Sequence, residues 1–172
     1  MTLPSGVRLA WRRVPAGVAR RTGSRALLAE PLPRGGVVSR CPARGGAPGR
    51  IRVVGMDATA SVSYAAGWAF AVAAPGQRRV GLDAVPADAS GLDRVLPGGD
   101  ARAWARVEAV LKADGRGLTV DPARVRVVDA SVPGSDWAAR IDDGAPVAGW
   151  DVAGPPGILV AVAVDLGTAP AP

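Results

Sequence analysis

The chain has 172 residues and carries 21 basic against 15 acidic side chains, for a net charge of +6. It contains no histidine and one cysteine, Cys41, which excludes imidazole catalysis, a Cys/His zinc site and an intrachain disulfide. No apolar run approaches the ~20 residues that cross a bilayer, and arginines interrupt any signal-peptide core at the N-terminus. We therefore expect a cytoplasmic protein that spans no membrane, in a reducing compartment.

The charge is unevenly distributed along the chain. Residues 1–52 hold 11 arginines and one acidic residue, Glu30, whereas residues 53–172 hold 10 basic and 14 acidic residues. A basic N-terminal part favours partners that carry phosphates, such as nucleic acid, a membrane surface or a phosphorylated cofactor. The alternative is that an arginine-rich composition has simply left solvated arginines there.

The first third of the chain gives weak structural signals. Residues 7–11 predict a short strand, and residues 17–32 predict a helix that ends at Pro31 and Pro33. Residues 34–50 are rich in glycine, proline and arginine and indicate a loop.

A β-hairpin is predicted next. Residues 60–64 and 67–74 are its strands, with Ala65-Ala66 as the connection, and residues 79–83 continue as a third strand. Asp83 would then lie at a strand end, where site residues are often found.

The clearest helix signal follows Asp100, a favourable N-cap, and ends before Gly115. We predict a helix over residues 101–113. Its apolar stripe comprises Ala103, Val107, Val110 and Leu111, and an adjacent stripe comprises Trp104, Glu108 and Lys112. Strands are predicted at residues 125–128, 137–141 and 157–164.

Two rare residue types meet on this helix. Lys112 is the only lysine of the chain and Glu108 is one of two glutamates, four residues apart and hence on one face. With Asp83, they form the set that Mg²⁺-assisted phosphoryl chemistry requires, since carboxylates bind the metal and a cation binds the phosphate. The alternative is a solvated i,i+4 ion pair, with Asp83 as a turn residue.

Motif order links these residues to a known family. V-G-L-D at residues 80–83 and W-A-R-V-E-A-V-L-K-A-D-G-R-G-L at residues 104–118 resemble the two signature segments of the 4′-phosphopantetheinyl transferase superfamily. Weaker likenesses precede them in the family's order: S-V-S-Y-A-A-G at residues 61–67, C-P-A-R-G-G-A-P-G-R at 41–50 and S-R-A-L-L at 24–28. The chain resembles the larger, two-lobed, surfactin-type branch over residues 20–165.

The resemblance implies an α+β fold and a specific reaction. A single domain over residues 1–172 would have two pseudo-symmetric lobes, about 1–80 and 81–172. Each would be a small antiparallel sheet packed with a helix, with the cofactor cleft between them. The implied enzyme moves phosphopantetheine from coenzyme A to a serine of an acyl or peptidyl carrier protein with Mg²⁺, as a monomer. Carrier proteins are usually acidic, which suits a basic partner.

The resemblance also implies roles for individual residues. Asp83 and Glu108 would hold the metal. Glu108 would also help to deprotonate the serine, and Lys112 would neutralise the pyrophosphate. The remaining residues implied in cofactor binding are Arg12, Arg25, Arg50, Ser63 and Tyr64.

Three positions depart from the family pattern. Val85 replaces a second carboxylate, Val107 replaces a lysine and Tyr64 replaces a histidine. These changes leave open a degenerate family member that binds coenzyme A or a carrier protein without catalysis. A basic nucleic-acid-binding protein is a further alternative, which the near absence of aromatic residues from residues 1–52, apart from Trp11, disfavours.

Overall fold

The computed structural model describes residues 2–17, 24, 26–32, 36–38, 51–76, 78–129 and 132–166. Over these ranges the protein is an α+β fold with two antiparallel five-stranded sheets and few helices, which confirms the predicted class. Among the candidate residues, Arg25 and Arg50 lie outside the described part of the chain, as does Cys41.

The first sheet has the strand order β1-β5-β4-β3-β2. Its strands are β1 (Arg8–Arg13), β2 (Gly36–Val38), β3 (Ile51–Val54), β4 (Ala58–Ala65) and β5 (Trp68–Pro75). The strand predicted at residues 7–11 corresponds to β1. The prediction of a loop over residues 34–50 is wrong at β2, and β3 was not predicted.

The second sheet has the order β6-β10-β9-β8-β7. Its strands are β6 (Val80–Pro86), β7 (Val125–Asp129), β8 (Trp137–Ile141), β9 (Val147–Val152) and β10 (Ile158–Val164). The predicted third strand of the hairpin is β6, but it pairs with β10 at one edge of this second sheet rather than extending the first.

The β4–β5 hairpin turns one residue later than predicted. Ala65 pairs with Trp68, so the connection is Ala66-Gly67 rather than Ala65-Ala66. Both connecting residues have positive φ, 45° for Ala66 and 78° for Gly67. Two positive φ values in a two-residue loop match the twist of the flanking strands, and Gly67 adopts its value without steric cost.

Asp83 lies in the middle of β6, not at a strand end as predicted. The strand continues to Pro86, and Asp83 is directly opposite Ala161 of β10. The continuation follows from the apolar character of Ala84 and Val85, which are buried on opposite faces of the sheet.

The long helix, α1, extends over Ala101–Asp114. The Asp100 side chain accepts a hydrogen bond from the Ala103 N–H at 2.7 Å, and the Gly115 N–H donates to the Leu111 carbonyl at 3.0 Å, with φ of 85° at Gly115. Both caps agree with the prediction. Of the predicted apolar stripe, Ala103 is only half-buried. Short 3₁₀ helices occur at Leu92–Arg94, Gly117–Thr119 and Pro122–Arg124.

The part of the predicted first helix that can be described is short. Within residues 17–32, Ser24 and residues 26–28 are helical and residues 29–31 form a turn, while residues 18–23 and 25 lie outside the described ranges.

Three apolar clusters hold the layers together. A central cluster joins β5 of the first sheet to β6 and β10 of the second, with Phe70, Leu82 and Val162 fully buried. A second cluster packs α1 on the other face of the second sheet. In the third, Leu27 and Leu28 cover the other face of the first sheet. Each sheet is therefore apolar on both faces.

None of the helices in the described residues combines the length and the apolar character that a membrane span requires.

Candidate functional site

The backbone of β6 lies in direct contact with α1 at Gly81. Because side chains alternate along a strand, Gly81, Asp83 and Val85 share the face that meets the helix. A Cβ atom at Gly81 would lie 1.9 Å from the Ala109 carbonyl oxygen and 2.5 Å from the Ala113 nitrogen. Only glycine permits this approach, which places the C-terminal half of α1 against Asp83.

Lys112 of α1 lies between Asp83 and Glu108 and forms an ion pair with each. The Lys112 ammonium nitrogen lies 2.7 Å from Asp83 Oδ1 and 3.7 Å from Glu108 Oε1. Asp83 is only 3% exposed, whereas the Glu108 and Lys112 side chains are each 25% exposed. The two sequence motifs, 29 positions apart at Asp83 and Lys112, therefore converge on one cluster.

Ser63 completes the cluster from the first sheet. Its hydroxyl donates to Asp83 Oδ1 at 2.8 Å and accepts from the Ala84 N–H at 3.2 Å. The Lys112 ammonium also donates to Ser63 Oγ at 3.4 Å and to the Leu82 carbonyl at 3.1 Å. Four oxygen-bearing groups thus surround the ammonium nitrogen.

The same region joins the two sheets. Ser61 and Ser63 project from one face of β4 towards the edge of β6, where their hydroxyls accept from the N–H groups of Leu82 and Ala84 at 3.1 and 3.2 Å. These bonds satisfy backbone donors on the edge of β6 opposite β10. We call these two bonds the serine seam.

The environment of Glu108 raises the pKa of its carboxyl group. The main cause is desolvation by burial, and the negative charge of Asp83 adds to it. The charge and hydrogen bond of Lys112 and a hydrogen bond from Trp104 oppose the shift without cancelling it. Glu108 is therefore a better proton acceptor than an ordinary glutamate.

A cavity of about 210 Å³ opens beside the cluster, between β4 and the C-terminal half of α1. Glu108 and Lys112 line it together with apolar residues such as Leu111 and Leu118, and Arg79 supplies a second cation. The cavity is thus mainly apolar, with the charged cluster at one side.

Two other predicted residues lie away from the cluster. Tyr64 is on the face of β4 opposite Ser63 and packs against the cluster that contains Leu27 and Leu28. Arg12 is on the edge strand β1 and forms an ion pair with Glu30, both about half exposed.

The two valines that depart from the family pattern belong to the core. Val85 and Val107 are 6% and 3% exposed and pack in the apolar cluster between α1 and the second sheet. The side chain of Val107 faces the sheet, which agrees with its place in the predicted apolar stripe of α1.

Sequence reasoning missed two residues near the site. Ser61 holds the edge of β6, and Leu82 supplies the carbonyl that accepts from Lys112. The alternation in S-V-S at residues 61–63 was a usable signal, since it places both hydroxyls on one face of a strand. The Leu82 carbonyl has no signature in the sequence.

The cluster can be tested as a magnesium site by its donor set. No group of three or more histidine, cysteine, aspartate or glutamate side chains suited to a metal occurs in the described part of the chain. Mg²⁺ is nevertheless commonly held by one or two carboxylates, with water and substrate phosphates as its other ligands. Asp83 and Glu108 meet this smaller requirement once Lys112 no longer bonds Asp83.

No protein-family model matches the chain, and no curated protein matches it significantly. The likeness to the phosphopantetheinyl transferases therefore rests on the motif residues and stays a prediction.

Proposed function

We propose that this protein is a transferase that moves 4′-phosphopantetheine from coenzyme A to a serine of an acyl or peptidyl carrier protein, with Mg²⁺. One observation supports this function best. Asp83 of the first motif and Glu108 of the second both lie close to the Lys112 ammonium nitrogen, at 2.7 and 3.7 Å. Two antiparallel sheets, each with helical residues on its outer face, also suit the two-lobed fold that the motifs imply.

The proposed reaction is a displacement at phosphorus. The carrier serine oxygen bonds to the phosphorus that bears pantetheine, the bridging P–O bond breaks, and adenosine 3′,5′-bisphosphate leaves. The serine proton passes to Glu108, whose raised pKa suits a general base. Lys112 neutralises charge on the pyrophosphate.

The metal would be held by the carboxylates of Asp83 and Glu108. When bound there, Mg²⁺ would supply positive charge to the pyrophosphate oxygens. Ser63 would fix the orientation of the Asp83 carboxylate through its 2.8 Å hydrogen bond.

The cavity beside the cluster is the proposed entry to the cofactor cleft between two lobes. Arg79 and Lys112, which line it, carry the positive charge that a phosphate needs. Arg12, Arg25 and Arg50 remain proposed phosphate ligands, as does Tyr64. The basic N-terminal part would attract an acidic carrier protein to a monomeric enzyme.

A second candidate is binding of coenzyme A or a carrier protein without transfer. Two observations favour it. Asp83 already has a cation partner in Lys112, and Val85 offers an apolar side chain where the family has a carboxylate. Either would weaken a metal site while leaving the cavity intact.

One assay tests the transfer. The protein is incubated with coenzyme A, Mg²⁺ and a panel of apo carrier proteins, and mass spectrometry detects the phosphopantetheine adduct. Adduct formation by the wild type supports the proposal if Asp83→Asn and Glu108→Gln abolish it. Arg124→Met, which breaks an exposed ion pair, is the control and should not affect it. Absence of adduct on every carrier, with folded protein, rejects it.

Calorimetry with coenzyme A, and separately with the apo carrier proteins, distinguishes the two candidates. Binding of either without adduct supports the second candidate, and absence of binding and of adduct rejects both.

A further inference from the structure

We propose that the Lys112 ammonium is the resident cation of the Asp83–Glu108 site, and that a divalent ion binds only when this ammonium leaves Asp83. The inference concerns regulation of the site assigned above and rests on the proposed function for the identity of the ion.

Four oxygen atoms surround the Lys112 ammonium nitrogen. Asp83 Oδ1, the Leu82 carbonyl, Ser63 Oγ and Glu108 Oε1 lie 2.7, 3.1, 3.4 and 3.7 Å from Nζ. Carboxylate, carbonyl and hydroxyl oxygens are the ligands that hard cations prefer. The ammonium therefore fills a cage of oxygen donors.

The ammonium also excludes a divalent ion from Asp83 Oδ1. Mg²⁺ binds a carboxylate oxygen at about 2.1 Å. Lys112 Nζ already lies 2.7 Å from Asp83 Oδ1. Oδ1 also accepts from Ser63 Oγ at 2.8 Å, so the two hydrogen bonds occupy both lone pairs of this oxygen. A divalent ion on Oδ1 would need the place of the ammonium, and repulsion between two cations so close is strong in a partly desolvated site. The two cations must alternate at Asp83 Oδ1.

The burial of Asp83 favours exchange of one cation for another over departure of Lys112 alone. Because Asp83 is only 3% exposed, loss of its cation partner would leave an uncompensated buried charge, which is strongly destabilising. Exchange of the ammonium for a metal ion keeps this charge compensated, whereas simple departure of Lys112 does not. The ammonium thus preserves the site until the ion arrives.

The cavity beside the cluster offers space into which the Lys112 side chain can move. Its side chain is 25% exposed and lines the cavity beside the cluster. Rotation about its four-carbon stem would bring the ammonium into this cavity, where an anionic group could receive it. Anionic ligands and divalent ions should then bind cooperatively, because each favours the same position of Lys112.

The decisive test measures Mn²⁺ binding without coenzyme A or carrier protein, by the electron paramagnetic resonance signal of the free ion. We expect Lys112→Met to bind Mn²⁺ at least about tenfold more tightly than the wild type, because a unit positive charge is removed from the cage. Asp83→Asn/Lys112→Met should lose that gain. Arg124→Met, in an exposed ion pair distant in sequence, should match the wild type.

Equal affinity of Lys112→Met and the wild type would overturn the proposal. So would retention of the full gain in the double variant, because the ion would then not depend on Asp83.

A second measurement uses the wild type and holds even if Lys112→Met fails to fold. Since Lys112 is the only lysine, protein with ¹³C- and ¹⁵N-labelled lysine gives the NMR signals of one ε-ammonium group. Addition of Mg²⁺ should shift these signals as the ammonium leaves Asp83. Signals that stay unchanged up to the highest Mg²⁺ concentration the protein tolerates would overturn the proposal.

Both measurements are independent of catalysis. A failed transfer assay would leave the competition between the two cations standing, and a failed competition would leave any adduct standing.

Discussion

The backbone of Gly81 is packed so closely against the backbone of Ala109 that a single added carbon would lie 1.9 Å from the Ala109 carbonyl oxygen. This contact fixes the height of α1 above β6. Glu108 directly precedes Ala109 and Lys112 lies three residues after it, so the contact also fixes the distance of both side chains from Asp83.

Gly81→Ala should therefore damage both the fold and the cluster. The overlap involves backbone atoms, which cannot move aside by changing rotamer, so we expect a loss of about 3 kcal/mol in the free energy of unfolding, at the upper end for overpacking. Denaturant unfolding measures the loss, and the lysine NMR signal should move because Lys112 shifts away from Asp83. Gly91→Ala is the comparison: Gly91, unlike Gly81, has a left-handed φ of 74°, but the space around it is open, so the substitution should cost only about 1–2 kcal/mol of backbone strain. Equal losses for the two variants would contradict the role of the contact.

Removal of Lys112 should destabilise the protein more than removal of a surface cation. Lys112→Met leaves the nearly fully buried Asp83 carboxylate without its ion-pair partner, and we expect a loss of about 3–5 kcal/mol in the free energy of unfolding. Asp83→Asn/Lys112→Met should recover part of this loss, because the uncompensated charge is gone. Arg124→Met removes a cation from an exposed pair with Asp142 and should leave stability nearly unchanged. Chemical denaturation of the four proteins gives the comparison, and a double variant no better than Lys112→Met would argue against the charge as the cause.

Glu108 should make the stability depend on pH in one direction. Burial and Asp83 raise its pKa in the folded state, so folded protein retains a proton that the unfolded chain has already lost. Its contribution to stability is complete below the unfolded pKa and is lost as the pH rises through the folded pKa. Glu108→Gln should therefore unfold at a higher temperature than the wild type at neutral pH, with the difference vanishing in acid. The chain has only two glutamates, so ¹³C-labelled glutamate gives two carboxyl signals, with Glu30 as the exposed reference. A Glu108 signal that titrates in the ordinary glutamate range would refute this prediction.

The serine seam should be sensitive to loss of either hydroxyl. Ser61→Ala leaves the Leu82 N–H without its acceptor and should cost about 1–3 kcal/mol. Ser63→Ala removes the acceptor of the Ala84 N–H and also the donor to Asp83, so it should cost more. Thermal unfolding of the two single variants makes the comparison, with each serving as the control for the other. A larger loss for Ser61→Ala would show that the bond to Asp83 contributes little.

Features specified by local sequence were predictable. The caps of α1 at Asp100 and Gly115 depend only on neighbouring residues, and so does the shared side of Glu108 and Lys112. The hairpin was also predictable from alternation, although positive φ at Ala66, a residue with little preference for it, moved the turn by one position.

Features set by packing between distant segments were not predictable. β9 was not predicted, and the role of its Gly149 depends on a distant residue: this glycine makes room for the Trp137 ring, whose atoms would lie 2.2 Å from an added Cβ. The hydrogen bond from Ser63 to Asp83 depends on how the two sheets dock, which no residue spacing states. The nearness of Asp83 to α1 was expected from the chemistry of Asp83, Glu108 and Lys112 and from the motif resemblance, whereas a turn residue was the alternative for Asp83.

The two sheets are also consecutive in the chain, because β1 to β5 build the first and β6 to β10 build the second. A break in the short link between β5 and β6 would therefore yield two fragments, each with a complete sheet. Ser63 would belong to one fragment, and Asp83, Glu108 and Lys112 to the other. The shared apolar core and the serine seam would be the surfaces by which the fragments recognise each other. The protein is therefore a candidate for fragment complementation, in which reassembly of the two fragments restores the cluster.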